Sequence, residues 1–178
     1  MEMFQNKYRI PPARAKWWDY SKNGTYFVTI CTKERGHYFG KIKKNEMVLS
    51  EIGVIAKTCW QAMPIHFPLI QCDAFVIMPN HMHGILKIDL LNSAQTDLSD
   101  IKTEYSMKSI SPESCSLGAI IRSYKSAVTK EARLMNSHFS WQTRFHDHII
   151  RNNESYYKIQ EYIINNPATW ESDTFFDA

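Results

Sequence analysis

The chain lacks any apolar run of the roughly 18 residues that a membrane-spanning helix needs. Its N-terminal stretch, MEMFQNKYRIPPARAKWWDY, also lacks the apolar core and the small-residue cleavage site of a secretion signal. We therefore expect a cytoplasmic protein without a membrane partner. The sequence shows no internal repeat, and its 178 residues, of which 44% are hydrophobic, suit one compact domain over residues 1–178.

Cysteine is scarce, and its spacing excludes two classes of small-protein scaffold. The four cysteines form no CxxC pair, so we expect neither a disulfide framework nor a cysteine-based zinc site. In a reducing compartment they are expected to be free, partly buried thiols. These residues are Cys31, Cys59, Cys72 and Cys115.

A large excess of one charge is also missing, since the net charge is only +3. The distribution is more informative. Residues 1–50 carry ten Lys or Arg against four acids, residues 116–151 carry six against two, and the stretches 88–115 and 152–178 are net acidic. Two basic segments that meet in the fold would form a positive, phosphate-binding face. A scattered, solvated surface is the alternative.

The hydrophobic pattern predicts strands over 25–32, 70–78 and 81–88, and a further strand at the end of 139–150. A hairpin is expected over 36–49. These strands alternate with helices in an order close to the ferredoxin-like one. We therefore predict an α+β fold with an antiparallel sheet and helices packed on it.

Helix signals frame the rest of the chain. The predicted helices run from Ser50 to about Met63, from Leu117 to about Met135, and from a cap at Asn153 to Pro167. Pro64 is expected to end the first helix. Residues 89–116 are polar and without periodicity, which predicts a flexible loop.

The strand over 81–88 carries the first candidate site, His81-Met82-His83. Alternate side chains of a strand project from the same face, so the two imidazoles project together while Met82 points into the core. Two imidazoles placed in this way can bind one divalent ion. A His-x-His pair is also common without a metal, so the pattern alone leaves both interpretations open.

A second alternating pair, His146 and His148, follows near the end of the chain. It could bind a second metal ion. We expect instead that His148 is a structural histidine near the site, and that His146 faces outward.

The last predicted helix carries three tyrosines, Tyr156, Tyr157 and Tyr162. Packing on the sheet is the common fate of such residues, and we expect it for at least one of them. Tyr162 and Asn166 lie four apart, so a helix places them on one face. Asn166 precedes Pro167, however, and this disfavours α geometry at Asn166.

Four blocks in this order, MPNHMHGIL, LGAIIRSYKSAVTK, WQTRFHDHIIR and YIINNP, carry a resemblance. Together they resemble the HUH-type single-tyrosine transposases, and the closer branch is the REP-associated tyrosine transposases of bacteria. The resemblance covers roughly residues 20–170. It implies a transposase that nicks and rejoins single-stranded, hairpin-containing DNA through a 5′-phosphotyrosine intermediate.

The resemblance also implies roles for individual residues. His81 and His83 would hold Mg²⁺ or Mn²⁺, and Tyr162, which opens the YIxxN block, would be the nucleophile. The matching amide, Asn166, is the candidate third metal ligand. In the insertion-sequence branch a glutamine occupies that place, so the shorter asparagine favours the REP-associated branch.

DNA contacts are expected at two places. Arg122, Lys125 and Lys130 are spaced to lie on the polar side of the second helix, where they would contact the DNA backbone; ordinary surface charge is the alternative. Arg14 and Lys16 of the basic N-terminal arm, residues 1–20, are further candidates. Three aromatic residues of this arm either stack on unpaired bases or cover the sheet edge. They are Trp17, Trp18 and Tyr20.

Other functions stay open at this point. One is a domesticated, non-catalytic protein that binds hairpin DNA. Another is a ferredoxin-like RNA-binding module, although the strands carry no RNP-type aromatic motif. The resemblance implies either a monomer, as in the REP-associated branch, or a homodimer that exchanges the tyrosine helix, as in the insertion-sequence relatives.

Overall fold

The computed structural model describes residues 22–89 and 116–176, residues 19 and 20, and two short paired strands. These strands are β1 (Met3–Phe4) and β2 (Lys7–Tyr8). The predicted contacts of Arg14 and Lys16, and the flexible loop predicted over 89–116 apart from its two end residues, lie outside the described residues.

A four-stranded antiparallel sheet forms the centre of the described fold. It contains β3 (Gly24–Cys31), β6 (Ile70–Ile77), β7 (His81–Ile88) and β8 (His146–Ile150). The spatial order is β6-β7-β3-β8, so β7 and β3 are interior strands and β8 is an edge. This is the ferredoxin-like order, and the predicted α+β fold is confirmed.

A separate hairpin precedes the first helix. Its strands are β4 (Gly40–Lys43) and β5 (Glu46–Leu49). The two residues between them, Lys44 and Asn45, have φ angles of 51° and 63°, as a two-residue hairpin turn with the twist of the strands requires.

Helix α1 (Glu51–His66) is capped by Ser50, whose hydroxyl oxygen accepts a hydrogen bond from the backbone amide of Gly53. The prediction that Pro64 ends this helix was wrong. Pro64 lies in the last turn, where its missing amide removes one internal hydrogen bond, and the turn still closes because the Phe67 amide donates to the Met63 carbonyl.

Helix α2 (Leu117–Met135) begins at a Ser116 cap and packs beside α1 on one face of the sheet. Its buried stripe meets the inward side chains of β3 and β7. The α2 stripe comprises Leu117, Ile120, Ile121, Tyr124, Val128 and Ala132. The strands contribute Tyr26, Val28, Ile30, Met82 and Leu86.

Helix α3 (Asn153–Asn165) lies on the opposite face of the sheet and packs mainly against β6. Asn152, not the predicted Asn153, caps it by accepting the Ser155 amide. A small apolar cluster of Ile85, Ile150 and Ile163 joins this helix to the sheet. The α3 face therefore also carries the side chains of β7 that alternate with the core.

The sequence predicted that the last helix ends at Pro167, but the chain stays helical beyond this residue. Helix α3 ends at Asn165, and a 3₁₀ helix, Asn166–Ser172, continues directly from it. Asn166 keeps α geometry, with φ −55° and ψ −42°, although a proline follows it. Tyr162 and Asn166 consequently stay on one helical face, and the chain turns back towards the sheet.

Two compositional expectations concern the described residues alone. Cys31, Cys59 and Cys72 are free thiols that are buried or half-buried, as expected. Among the residues that the structure describes, no helix is both long and apolar enough to cross a bilayer.

Candidate metal and tyrosine site

Strand β7 brings His81 and His83 together on the α3 face, while Met82 is fully buried in the core on the other face. The two imidazoles meet through their Nε2 atoms, which are 3.1 Å apart. Two neighbouring ligands of an octahedral ion with bonds of ~2.05 Å are about 2.9 Å apart. The separation of the two nitrogens therefore fits two ligands of one cation.

The other nitrogen of each ring is held by a neighbour. The Asn80 amide nitrogen donates to the Phe175 carbonyl at 2.8 Å, so its oxygen faces His81 Nδ1, also at 2.8 Å. His81 Nδ1 must then carry the proton, which leaves Nε2 with a free lone pair. His83 Nδ1 lies 2.8 Å from the Thr29 hydroxyl, which fixes the orientation of the second ring.

Burial sets the protonation of both rings. It lowers the pKa of His81 to about 3, and the guanidinium of Arg35 adds to the effect. Burial likewise lowers the pKa of His83 to about 3, with a further contribution from His81. Both imidazoles are therefore neutral at physiological pH, which is the form that binds a metal.

Asp173 completes the group, although the sequence analysis did not single it out. The 3₁₀ helix carries it back to the histidines, and the ligand atoms of His81, His83 and Asp173 all lie within 4.8 Å of one another. Within the described residues this is the one group of three or more His, Cys, Asp or Glu side chains that could hold a metal ion.

Residues 173–176 are fastened over the histidine pair. Asn80 holds the Phe175 carbonyl, and Arg35 donates to the Thr174 carbonyl at 3.3 Å. The Phe175 ring lies 4.6 Å from the ring of His81, centroid to centroid. This cover explains why His81 and His83 are only 0% and 1% exposed.

Tyr162 points into the same site. Its hydroxyl is 3.2 Å from His83 Nε2 and 3.4 Å from an Asp173 carboxylate oxygen. Phe27 contacts the edge of the Tyr162 ring from the sheet side. Burial, and then the negative charge of Asp173, raise the pKa of Tyr162 above its ordinary value, while a hydrogen bond with Asn166 acts in the opposite direction.

Asn166 is fully buried beside these groups. Its amide nitrogen donates to Asp173 at 2.9 Å, but its Oδ1 oxygen has no hydrogen-bond partner. A buried, unpaired carbonyl oxygen costs about 1–3 kcal/mol unless something satisfies it. Two neutral imidazole nitrogens, a carboxylate and this amide oxygen are together a donor set that suits a divalent cation.

The other tyrosines of α3 are placed differently. Tyr156 packs against the small apolar cluster and its hydroxyl donates to Asp73, so it is the tyrosine that packs on the sheet. Tyr157 is 62% exposed. Tyr162 is consequently the tyrosine of this helix whose hydroxyl reaches the histidine pair.

The basic residues predicted on α2 line a second feature, a groove of about 520 Å³ between α2 and residues 141–143. Arg122, Lys125 and Lys130 lie there together with Arg133. Because α2 covers the core face, this groove is on the opposite side of the sheet from the imidazoles. The groove lies at the same end of the strands as His81. The backbone amide of Gln142 donates to the carbonyl of Cys31, and Cys31 is the cross-strand partner of His81.

The second histidine pair agrees with its expectation only in part. His146 and His148 both project from the α3 face of β8, because they stand opposite Thr29 and Phe27 of β3, and both are exposed. His146 faces outward as expected, but the exposed His148 is not the structural histidine that was expected. In the N-terminal arm, Tyr20 stacks on Tyr26 at the sheet, at 5.7 Å between centroids.

Sequence reasoning missed the residues that orient the site, namely Thr29, Asn80 and Asp173. Asn80 adjoins His81 and could have been suspected from that. The C-terminal stretch offers three acids, Glu171, Asp173 and Asp177, and no spacing tells which of them returns to the sheet. Thr29 lies 54 residues from His83, and only the strand register brings the two together.

Comparisons with known proteins identify a family for the chain. No known protein-family profile matches the chain. An uncharacterized protein of Haemophilus influenzae is 39% identical over 166 residues, which is 92% of this chain and 91% of that protein.

Solved structures give the fold. The structure of a REP-associated tyrosine transposase bound to a REP hairpin is 21% identical, covers 88% of this chain and 74% of its own, and superposes with a TM-score of 0.56. A proposed transposase from Deinococcus radiodurans is 14% identical, covers 85% of this chain and 95% of its own, and superposes with a TM-score of 0.45. The chain therefore belongs to one family with the Haemophilus influenzae protein, and its fold is that of the single-tyrosine transposases.

Proposed function

We propose that the protein is a metal-dependent DNA strand transferase in which Tyr162 is the nucleophile. One observation carries the proposal: the Tyr162 hydroxyl lies within 3.4 Å of both a neutral imidazole nitrogen and a carboxylate. These groups come from places far apart in the chain and meet at a single point. A purely structural tyrosine has no need of such neighbours.

The cation site is formed by His81, His83 and Asp173, with Asn166 Oδ1 as a further donor. The orphaned amide oxygen and the mixed nitrogen and oxygen donors fit Mg²⁺ or Mn²⁺. When bound, the ion would polarise the scissile phosphate and stabilise the negative charge on the leaving 3′-oxygen. Asn80 and Thr29 keep the two Nε2 atoms pointed at this place.

Tyr162 then supplies the covalent chemistry. Its oxygen bonds to the phosphorus of a single-stranded DNA, and the bond from phosphorus to the 3′-oxygen breaks. The proton that the phenol loses ends on the leaving 3′-oxygen, so the products are a 5′-phosphotyrosine and a free 3′-hydroxyl, and the phosphodiester bond energy is retained. A new 3′-hydroxyl can reverse the step and join another strand without ATP.

The phenol needs help to lose its proton. Its pKa is raised by burial and by Asp173, so at neutral pH it is protonated and a poor nucleophile. The phenol donates to a carboxylate oxygen of Asp173 at 3.4 Å, whereas the lone pair of the closer His83 Nε2, at 3.2 Å, would be directed at the cation. Asp173 is therefore placed to take the proton as the bond to phosphorus forms.

The DNA itself is proposed to follow the basic groove on α2. This groove is positively charged, as a surface that binds the DNA backbone needs to be. Its basic residues are Arg122, Lys125, Lys130 and Arg133. The structural neighbour was solved with a REP hairpin. By analogy we propose a hairpin stem on the α2 groove and a single strand that passes the end of the sheet to Tyr162.

A covalent-adduct assay tests the proposal. A pool of labelled hairpins with randomised single-stranded flanks is incubated with the protein and Mn²⁺, and adducts are separated on a denaturing gel. We expect an adduct with the wild type and with Tyr157→Phe, and none with Tyr162→Phe. An adduct that survives Tyr162→Phe would assign the nucleophile elsewhere. Binding of the pool without any adduct would favour the non-catalytic hairpin-binding protein.

A further inference from the structure

A second groove lies beside the proposed nicking site, and the functions above leave it unused. It has a volume of about 550 Å³ and opens between β8 and α3. This is within the range of roughly 300–1,000 Å³ for pockets that hold small organic groups. Its walls are Phe27, His146 and His148 from the sheet, and Ser155, Lys158 and Ile159 among others from α3.

Phe27 links this groove to the tyrosine. Its ring stacks on His83, with 5.1 Å between centroids, and meets the edge of Tyr162 at 6.2 Å. The same ring forms part of the groove wall. If the phosphate of one nucleotide lies at Tyr162, the next nucleotide of the strand would therefore lie at the mouth of the groove.

The chemistry of the wall suits a base rather than a phosphate. Phe27 and His148 stand opposite each other in the register of β3 and β8, so two aromatic side chains of the groove wall are cross-strand neighbours. Lys158, the basic side chain of the wall, is paired with Glu154 at 2.6 Å. The groove on α2, by contrast, has four basic residues and suits the backbone.

A metal ion is the rival occupant, because His146 and His148 alternate as His81 and His83 do. Among the described residues, however, the single group of three ligating side chains is the one that contains Asp173. His146 and His148 therefore lack a third ligand there. Aromatic faces and neutral polar edges favour an unstacked base instead.

Resting on the proposed nicking of single-stranded DNA, we propose that the groove between β8 and α3 is a base pocket. It takes one unpaired base of the nucleotide beside the scissile phosphate, which stacks on Phe27 and His148. Ser155 and the Glu154–Lys158 pair face the polar edge of that base. The pocket is thus a determinant of which nucleotide flanks the nick.

The test measures binding and needs no nicking. The most tightly retained sequence is selected from the hairpin pool, and each unpaired position is replaced in turn by an abasic nucleotide. Affinities are measured by fluorescence anisotropy in a Tyr162→Phe background. Removing the base at one position is expected to weaken binding about tenfold, as the loss of one stacked base does.

Substitutions at His148 then connect that position to the groove. His148→Ala should weaken binding of the intact oligonucleotide about tenfold and add nothing to the abasic one. His148→Phe keeps a ring and should restore binding to within about twofold. His66→Ala, an exposed histidine on α1, is the matched control and should leave affinity unchanged.

Two outcomes would overturn the base pocket. One is an additive loss, in which His148→Ala weakens intact and abasic oligonucleotides equally. The other is a His148→Phe variant that behaves as His148→Ala, since this would mean that the imidazole nitrogen and not the ring matters, as in a metal site. Neither outcome depends on adduct formation, so a failure of the nicking chemistry is recognised separately by the covalent assay.

Discussion

The chain carries two His-x-His pairs on the same face of its central sheet. His81 and His83 lie on an interior strand and are almost completely buried, whereas His146 and His148 lie on the edge strand and are exposed. Thr29 of β3 stands between the pairs, opposite His83 on one side and His146 on the other. The same local sequence pattern has therefore produced two different environments.

The difference comes from the neighbours. In the first pair, Asn80 lies beside His81 Nδ1 and Thr29 lies beside His83 Nδ1. The 3₁₀ helix also brings the carboxylate of Asp173 back to this pair. The second pair faces an open groove. A strand fixes only the direction in which both imidazoles point. The residues that hold and cover the rings decide whether they can act as ligands of one ion.

The largest expected contrast between the pairs is in covalent chemistry. His83→Ala removes one of the proposed cation ligands and should lower the rate of adduct formation by roughly 10³-fold or more. His148→Ala should mainly raise the DNA concentration needed for half-maximal rate, by about tenfold. Single-turnover kinetics over a range of DNA concentrations separate the two effects. Equal losses of maximal rate in both variants would contradict the assignment of His83 to catalysis and of His148 to DNA binding.

Metal-dependent stability should separate the pairs next. A cation that binds only the folded chain stabilises it by about 2.7 kcal/mol at a free concentration 100 times its Kd. Thermal unfolding with Mn²⁺ and with a chelator should show this shift in the wild type and in His146→Ala. His81→Ala should not show it. If the Mn²⁺-dependent shift were lost in His146→Ala and kept in His81→Ala, the cation would have to be assigned to the edge strand.

Acid should destabilise the chain through the buried pair. The folded pKa values of His81 and His83 are about 3, below the ordinary 6.5, so the unfolded chain takes up protons first. Stability is then full above about pH 6.5 and falls as the pH drops towards 3. Between pH 7 and pH 5 the loss is about 2 kcal/mol for each imidazole.

Urea unfolding at several pH values in the presence of a chelator measures this loss. The double variant His81→Gln/His83→Gln should show a shallower decline, and Tyr162→Phe, which keeps both imidazoles, should retain the full one. An unchanged slope in the double variant would mean that other groups cause the acid sensitivity.

The fold was predictable because its strongest signals are local. The alternation that places Met82 in the core also places His81 and His83 on the opposite face, and the stripe on α2 fixes its buried side. The errors lie at boundaries. Pro64 was expected to end α1, but a proline in the final turn removes only one bond, and tertiary packing outweighs that loss.

The site was less predictable, because its supporting residues are brought together by the fold and not by spacing. Asp173 reaches the histidines through a 3₁₀ helix that begins at a pre-proline residue, where an extended backbone is the usual expectation. The environments of the two histidine pairs were predicted only in part, for a similar reason. Burial by residues 173–176 is a property of the whole molecule.

The smallest expected effect concerns the residue that lies between the pairs. Thr29→Val keeps the shape of the side chain but removes the hydroxyl beside His83 Nδ1, which leaves a buried ring nitrogen unpaired. We expect a loss of about 1 kcal/mol in unfolding free energy and a roughly 10-fold weaker affinity for Mn²⁺, since partners of ligating histidines orient the ring. Isothermal titration and urea unfolding measure the two quantities.

Thr25→Val is the matched control, because Thr25 lies on the same face of β3 but opposite Lys87 and Ile150, away from the imidazoles. It should leave the affinity for Mn²⁺ unchanged. If Thr29→Val lowered stability and left metal affinity at the wild-type value, the hydroxyl would serve packing alone. The orientation of His83 would then have to come from its stacking on Phe27, at 5.1 Å on the same side of the sheet.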